Sequence, residues 1–249
     1  MTVRDKVVVV TGAGAGMGRA TAELFAERGA SVVVVDIDIN AANETVNRIE
    51  ADGGDATSVE ADVSEADDVA AFVERTVDKY GRIDVLHNNA GTPQESTPIE
   101  DVTEQTWDRV QDVNLKSAFL GAKHAVPHMR EQDGGVILNT ASTAGIRPRM
   151  GLSAYCASKG GMITLTKQLA HELADDGIRV NAICPVATNT EMLSDFTSDQ
   201  LTIDNMAETI PLGRLAEPDD IAQAAAFLAS DDADMITGTA LEVDGGRDV

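Results

Sequence analysis

Two runs of four consecutive valines, in KVVVVTG at residues 6–12 and SVVVVD at residues 31–36, leave this chain few architectures. A β-branched run without polar alternation cannot turn one face to water. Each run therefore reads as a strand buried on both sides, as in parallel sheets sandwiched between helices. Between them RATAELFAERGA reads as a helix that Gly29 stops. The alternation recurs: strands are expected within ATSVEADV, IDVLHNNAG, GVILNTAS, IRVNAICP and TALEVDGG, and helices over 40–52, 65–80, 103–130, 154–175 and 219–230. No Pro/Gly/Ser-rich linker and no internal repeat interrupts it. The expectation is one α/β domain over 1–249, a doubly wound parallel sheet with helices on both faces.

Charge narrows the partners. Against 42 acidic residues stand 19 basic ones, only six of them lysine, for a net charge of −23. Such a surface repels nucleic acid and anionic membranes, and no nucleic-acid or membrane partner is expected. The acids are spread along the chain, a lysine-poor pattern resembling proteins of salt-adapted organisms, and a halophilic source is expected. With 43% hydrophobic residues the chain can bury a large core. No apolar run is long enough to span a bilayer, and MTVRDKVVVVTG lacks the features of a signal peptide, so a cytoplasmic protein is expected. Cys156 and Cys184 form neither a CxxC nor a metal-ligand spacing, and Cys156 is read as a small packing residue.

TGAGAGMG, residues 11–18, lies where the first strand meets the first helix. Glycines there let the backbone turn tightly and approach a pyrophosphate that the helix N-terminus stabilises. The spacing is TGxxxGxG, with Gly12, Gly16 and Gly18 at the fixed places, Gly14 as an extra, and Met17 within the loop. Eighteen residues after Gly18, Asp36 ends the second strand, where an acid accepts from both hydroxyls of an adenosine ribose and repels a 2′-phosphate. No Arg or Lys occupies 32–47 to offset such a phosphate, so NAD is expected over NADP. The competing reading makes Asp36 a turn cap and Asp38 the ligand.

In SAYCASKGG, residues 153–161, a phenol and an ammonium interrupt a run of small residues. Tyr155 and Lys159 stand one helical turn apart on one face. A phenol with a pKa of about 10 is a poor base at neutral pH. An ammonium about 4 Å away contributes roughly 4 kcal/mol at an effective dielectric of about 20, enough to bring the phenol towards neutrality if desolvation is set aside. Tyr155 is thus the candidate proton-transfer group, general base in alcohol oxidation and general acid in carbonyl reduction.

Taken together, TGAGAGMG, Asp62-Val63, NNAG at 88–91, Asn114, Ser142, the Tyr155/Lys159 pair and VDGG at 243–246 resemble the short-chain dehydrogenase/reductase family over essentially the whole chain. The resemblance implies a single Rossmann-like domain with a seven-stranded sheet, a nicotinamide dinucleotide, a dimer or tetramer (here a homotetramer), and hydride transfer between the cofactor and a small-molecule alcohol or carbonyl. It implies that Ser142 orients the substrate oxygen and that Lys159 also bonds the nicotinamide ribose. It implies that Asn114 holds a water relaying protons from Lys159. Asp62 would bond the adenine amino group with Val63 beside it, Asn89 would line the adenosine ribose, and Asn88 would hold the NNAG turn through neighbouring backbone. Thr188 by its backbone and Thr190 by its hydroxyl would hold the carboxamide. One departure is Val186 where the family commonly has Gly; it narrows the space above the nicotinamide and denies the backbone left-handed conformations.

The expected activity is NAD-dependent oxidoreduction of a secondary alcohol or ketone of the sugar, cyclic-alcohol or 3-hydroxyacyl class. The rivals are an NADPH-dependent 3-oxoacyl reductase and a non-catalytic dinucleotide sensor. Poor periodicity over 186–212 marks a substrate lid, and Gln94, Thr143 and 146–152 are the other expected substrate determinants. Arg147 and Arg149 lie between Ser142 and Tyr155, within reach of an acidic substrate; in so acidic a chain they are read as pairing with carboxylates. His124, His128 and His171 lack a third ligand, and no metal is expected. Trp107 is read as core or subunit interface.

Overall fold

A computed structural model describes residues 3–196 and 203–248. Seven strands form one sheet: β1 (Val7–Thr11), β2 (Ser31–Asp36), β3 (Asp55–Glu60), β4 (Val85–Asn88), β5 (Gly135–Thr140), β6 (Ile178–Pro185) and β7 (Ala240–Val243). Their order is β3-β2-β1-β4-β5-β6-β7, and every pairing is parallel. The chain therefore reverses its direction of winding beside β1. That reversal opens a crevice at the carboxyl ends of β1 and β4.

The valine runs explain the layering. Val8, Val10, Val32 and Val34 point to a core shared with α1 (Gly16–Glu27), α2 (Ile39–Ala51) and α8 (Pro218–Ala229), where Phe25 and Ile221 are fully buried. Val9, Val33 and Val35 point to the opposite face, packed by Phe72 of α3 (Ala66–Tyr80), Leu120 and Met129 of α5 (Ser117–Glu131), and Leu173. Alternate residues of one strand thus bury against different helix layers, which is why no position in the run tolerates a polar residue. A smaller cluster joins Met162 and Ile163 of α6 (Ser153–Glu172) to Ala182 and Cys184 of β6.

The helix expected over 103–130 is interrupted. Thr103 caps α4 (Glu104–Gln111), its hydroxyl accepting from the Thr106 amide. Residues Asp112–Lys116 then form a π-helical turn before α5 begins. Such wide turns are rare inside helices and recur at functional sites. This one carries Asn114. The expected lid is described for 186–196 and 203–212, with a 3₁₀ segment at Glu191–Phe196 and α7 at Ile203–Glu208; its centre, 197–202, lies outside the described residues. Among the described residues no helix is long and apolar enough to cross a membrane.

Candidate active site

A cavity of about 1720 Å³ opens at the crevice and is lined by residues of the first two strands' ends, among them Asp36, and by others as far along the chain as Arg247. Gly12, Gly14, Gly16, Met17, Gly18, Asp36, Asp62, Val63, Asn89, Ser142, Tyr155, Lys159, Thr188 and Thr190 all line it. At Gly18 close approach explains the glycine: a Cβ there would sit 2.1 Å from the Gly12 carbonyl oxygen. Gly12 itself has φ of 62°, the left-handed region that residues with a side chain avoid. The start of α1 has no side-chain cap and no acid in its first turn, so its amides and dipole face the cavity unopposed. The Asp36 carboxylate accepts from the Gly14 amide (2.8 Å) and from the Asp38 amide (3.0 Å), while Asp38 caps α2 by accepting from Asn40. Asp36, and not Asp38, thus lines the cavity.

At the centre, α6 brings Tyr155 and Lys159 against the end of β5. Lys159 is 3% exposed, and its Nζ donates to the Thr140 carbonyl at 2.7 Å and lies 5.8 Å from the centre of the Tyr155 ring. Ser142, just past β5, accepts from the Ala144 amide at 3.1 Å and stands beside the Tyr155 phenol, which it favours in the ionised form. Asn114 is wholly buried between them and the NNAG turn: Oδ1 accepts from the Thr92 amide (2.7 Å), and Nδ2 donates to the Thr92 carbonyl (3.0 Å) and the Ser158 hydroxyl (3.3 Å). Ser142, Tyr155, Lys159 and Asn114 therefore converge, although 45 positions separate the first from the last in sequence.

Comparison with known proteins gives the arrangement its lineage. A family model described as enoyl-(acyl carrier protein) reductase matches residues 12–248. The 4-formylbenzenesulfonate dehydrogenase of Comamonas testosteroni is 43% identical over 100% of both chains. The cyclohexanol dehydrogenase of Acinetobacter sp. (strain SE19) is 41% identical over 97% of this chain and 94% of its own. Among solved structures, a 3-ketoacyl-(acyl-carrier-protein) reductase from Brucella melitensis complexed with NADH superposes with a TM-score of 0.94, at 43% identity and complete coverage of both chains.

The chain belongs to the short-chain dehydrogenase/reductase family. It is an oxidoreductase acting on secondary alcohols and uses a nicotinamide cofactor. The glycine cradle, the uncapped α1 terminus and the Asp36 carboxylate fit the pyrophosphate and adenosine portions of such a dinucleotide. Lys159, Thr188 and Thr190 sit further along the same cavity, where they would hold its nicotinamide half.

In this dehydrogenase the electrostatics around Tyr155 differ from the sequence expectation. Burial dominates and pushes the phenol up to about 12, opposed by the Ser142 side chain. Burial likewise lowers Lys159 to about 8. Desolvation acts on both groups, disfavouring the phenolate and the ammonium charge that would stabilise it. At neutral pH the chain's own groups therefore hold Tyr155 protonated.

Several side chains do work other than that expected. Asn89 donates to the Thr11 (3.0 Å) and Gly12 (3.3 Å) carbonyls and accepts from Thr140 (3.2 Å), so it is Asn89 that ties the glycine loop to the NNAG turn. Asn88 instead donates to the Asn139 side chain at 2.9 Å. Asp62 accepts from the Ser64 amide (2.9 Å) and hydroxyl (2.7 Å) in a local turn while lining the cavity. Thr188 donates to the Val186 carbonyl at 2.9 Å, and Thr190 lies against Gly16. Val186 has an ordinary backbone and packs its side chain into the α8 core, so its branched carbon needs no left-handed turn. Gln94, expected to read substrate, is 1% exposed; it accepts from the Tyr155 amide (3.0 Å) and donates to the Gly151 carbonyl (3.1 Å), fixing the start of α6.

Arg19 lies outside the stretch in which a cation for a 2′-phosphate is expected. Its guanidinium donates to the Gly14 carbonyl, to Thr45 (3.2 Å) and to Glu44 (3.3 Å) at the adenosine end. The stretch 32–47 carries no cation, and this one comes from the first turn of α1. At the other end, Phe196 sets its ring edge-on to Tyr155, with centroids 5.2 Å apart. Poor periodicity could point to the lid but not to that contact. Arg149 forms the expected carboxylate pair, with Asp248 at 2.9 Å. Trp107 is 41% exposed, which removes the core reading.

Proposed function

We propose that the enzyme interconverts a ring-borne secondary alcohol and its ketone with NAD(H). The observation that carries the reading is the placement of Ser142, Tyr155 and Lys159 midway along a cavity whose one end is held by an uncompensated Asp36. Ser142 hydrogen-bonds the substrate oxygen and holds it beside the Tyr155 hydroxyl. In reduction Tyr155 gives its proton to the developing alkoxide, the form in which burial holds it at neutral pH. In oxidation it must first lose that proton, and Lys159 is the cation on this chain placed to favour the loss. The bound nicotinamide supplies the hydride acceptor or donor. Lys159, held by Thr140, directs its remaining donors towards the nicotinamide ribose, and Asn114 holds a water at the rear of the site.

The substrate end is walled by Met150, Leu152, Leu193, Phe196 and Met206, an apolar surface that suits a carbocycle better than a sugar. The relative named for cyclohexanol supports the same class. Arg19 favours the rival, an NADPH-dependent 3-oxoacyl reductase, but its charge is already shared with Glu44. We further infer one domain over 1–249 with a lid near 186–212, a cytoplasmic and salt-adapted setting, and a homotetramer; the half-exposed Trp107 and Phe119 support an interface.

Titration with NADH and NADPH by fluorescence, followed by cyclohexanol, sugar and 3-oxoacyl thioester assays, tests the reading. Tighter NADH binding and turnover of the cyclic alcohol are expected; tighter NADPH binding with thioester turnover replaces the proposal with its rival. Light scattering reads the oligomer. Assays at about 0.1 M and 1 M salt, where screening shortens from about 10 Å to 3 Å, read the salt adaptation.

A further inference from the structure

The cavity wall carries two arginines, Arg149 and Arg247, that hydride transfer does not need. Arg149 is fixed on both sides of the catalytic pair: its amide donates to the Cys156 thiol (3.3 Å), next to Tyr155, and its Nη2 reaches the Thr143 hydroxyl (3.5 Å), next to Ser142. The same Nη2 donates to both Asp248 oxygens, at 3.0 and 2.9 Å, which draws the C-terminal turn over the cavity and delivers Arg247 to its wall. Arg247 is half-buried. Among the described residues its guanidinium donates no hydrogen bond and has no carboxylate within ion-pair distance. The nearby acids are engaged elsewhere. Asp244 accepts from the Gly246 (2.9 Å) and Asp248 (2.8 Å) amides, and Asp248 holds Arg149. In a chain of net charge −23, a half-buried cation without a carboxylate partner is an expensive feature that a ligand would relieve.

We propose that Arg247, positioned by the Arg149–Asp248 pair, binds a carboxylate carried by the alcohol substrate at the end remote from the reacting carbon. The inference rests on the ring-alcohol reading above and names the class within it: a hydroxylated carbocyclic carboxylate. A planar guanidinium with its donors free matches a carboxylate in a bidentate manner. The cavity that Arg247 and Tyr155 both line also carries the apolar side chains of Leu152, Leu193, Phe196 and Met206, which accommodate the ring. Burial and the neighbouring Arg149 disfavour the charge on Arg247 and outweigh the support it draws at longer range from Asp248 and Asp244, so an incoming anion adds to what those carboxylates supply. The acidic exterior repels anions at long range, so selectivity for one must come from a local cation of this kind.

The test uses the full-length enzyme with NAD and compares cyclohexanol with the two isomers of 4-hydroxycyclohexanecarboxylate. We expect kcat/KM to favour one carboxylated isomer, and Arg247→Gln to lower that preference about tenfold or more through KM, with Arg247→Lys recovering part of it. Calorimetric titration of the NAD-saturated protein with cyclohexanecarboxylate, which cannot be oxidised, should show binding that Arg247→Gln weakens by a similar factor. Melting curves verify that the variants are folded. Equal kcat/KM for charged and uncharged alcohols in the native enzyme, or an equal loss on both in Arg247→Gln, overturns the proposal. If no ring alcohol is turned over, the ring-alcohol reading fails. The calorimetric arm then decides the anion site alone: binding that depends on Arg247 supports it, and binding indifferent to Arg247 refutes it.

Discussion

The two ends of the cavity are built on different principles. At the adenosine end the protein presents mainly backbone: glycines, the amides that open α1 and the Asp36 carboxylate come from 25 consecutive residues, 12–36. At the substrate end it presents side chains from distant segments, with Thr143, Arg149, Phe196 and Arg247 brought together by the sheet, the lid and the C-terminal turn. The Arg149–Asp248 pair alone joins positions 99 apart. A ligand shared by many enzymes is thus held by geometry that few residues can supply. The feature that sets one enzyme apart is held by contacts that tolerate many residues.

The sharpest break between the two ends is to remove the group that joins them. Tyr155→Phe keeps the ring against Phe196 and takes only the hydroxyl that carries the proton. Turnover should fall by about 10²–10⁴, the range of general acid–base catalysis, while NADH affinity measured by fluorescence stays within about twofold. Loss of binding in parallel would place Tyr155 in the cradle and not in the chemistry.

The cradle has its own breaking point at Gly18. An alanine Cβ would stand 2.1 Å from the Gly12 carbonyl and 2.6 Å from Asn89 Nδ2, and neither can retreat without opening the turn. Gly18→Ala should weaken NADH by about tenfold to a hundredfold, the equivalent of about 1–3 kcal/mol of overpacking. The measured kcat/KM ratio between two alcohols should remain as it was. A changed ratio would mean that the ends are coupled.

This division explains what could be read without coordinates. Buried valine runs dictate strands, the strand–helix order dictates a parallel sheet, and glycine spacing dictates the cradle, since in each case the backbone itself imposes the residue. Tyr155 and Lys159 were legible for the same reason, one helical turn apart. Their electrostatics were not, because desolvation depends on everything packed around them: burial is the largest influence on Tyr155 and pushes its pKa up. Asn89 both lines the cavity and takes the turn-holding work expected of Asn88, because adjacent strand-end residues point to opposite faces and a one-residue difference decides which meets the glycine loop. Gln94 and Arg247 were beyond reach of pattern, since their partners lie 61 positions away or are not on the chain at all.

Between the ends lies Lys159, whose burial has a thermodynamic signature. Its pKa falls from 10.5 to about 8 on folding. Between those values the unfolded chain binds the extra proton, so stability contributed at this site rises as pH climbs through that window, by up to about 3 kcal/mol. Tyr155, raised from 10.0 to about 12, works the other way above pH 10, where the unfolded phenol ionises and the folded one does not. Urea unfolding at a series of pH values, native against Lys159→Met, should show the alkaline gain in the native protein only. A gain that persists in the variant would assign it to another group.

The smallest effect belongs to the residue that looks most reactive. Cys156 follows Tyr155, yet its thiol accepts from the Arg149 amide at 3.3 Å and so helps to hold the loop that carries the substrate end. Sulfur is a weak acceptor, and the amide it satisfies is only partly buried. Cys156→Ala should therefore cost about 1 kcal/mol or less in urea unfolding and leave kcat with cyclohexanol within about twofold. Because the bond positions Arg149, the loss should appear selectively as a higher KM for a carboxylated ring alcohol. A fall in kcat for charged and uncharged alcohols alike would show that the thiol supports Tyr155 and not the anion end, and would move the boundary between the two regions to the other side of α6.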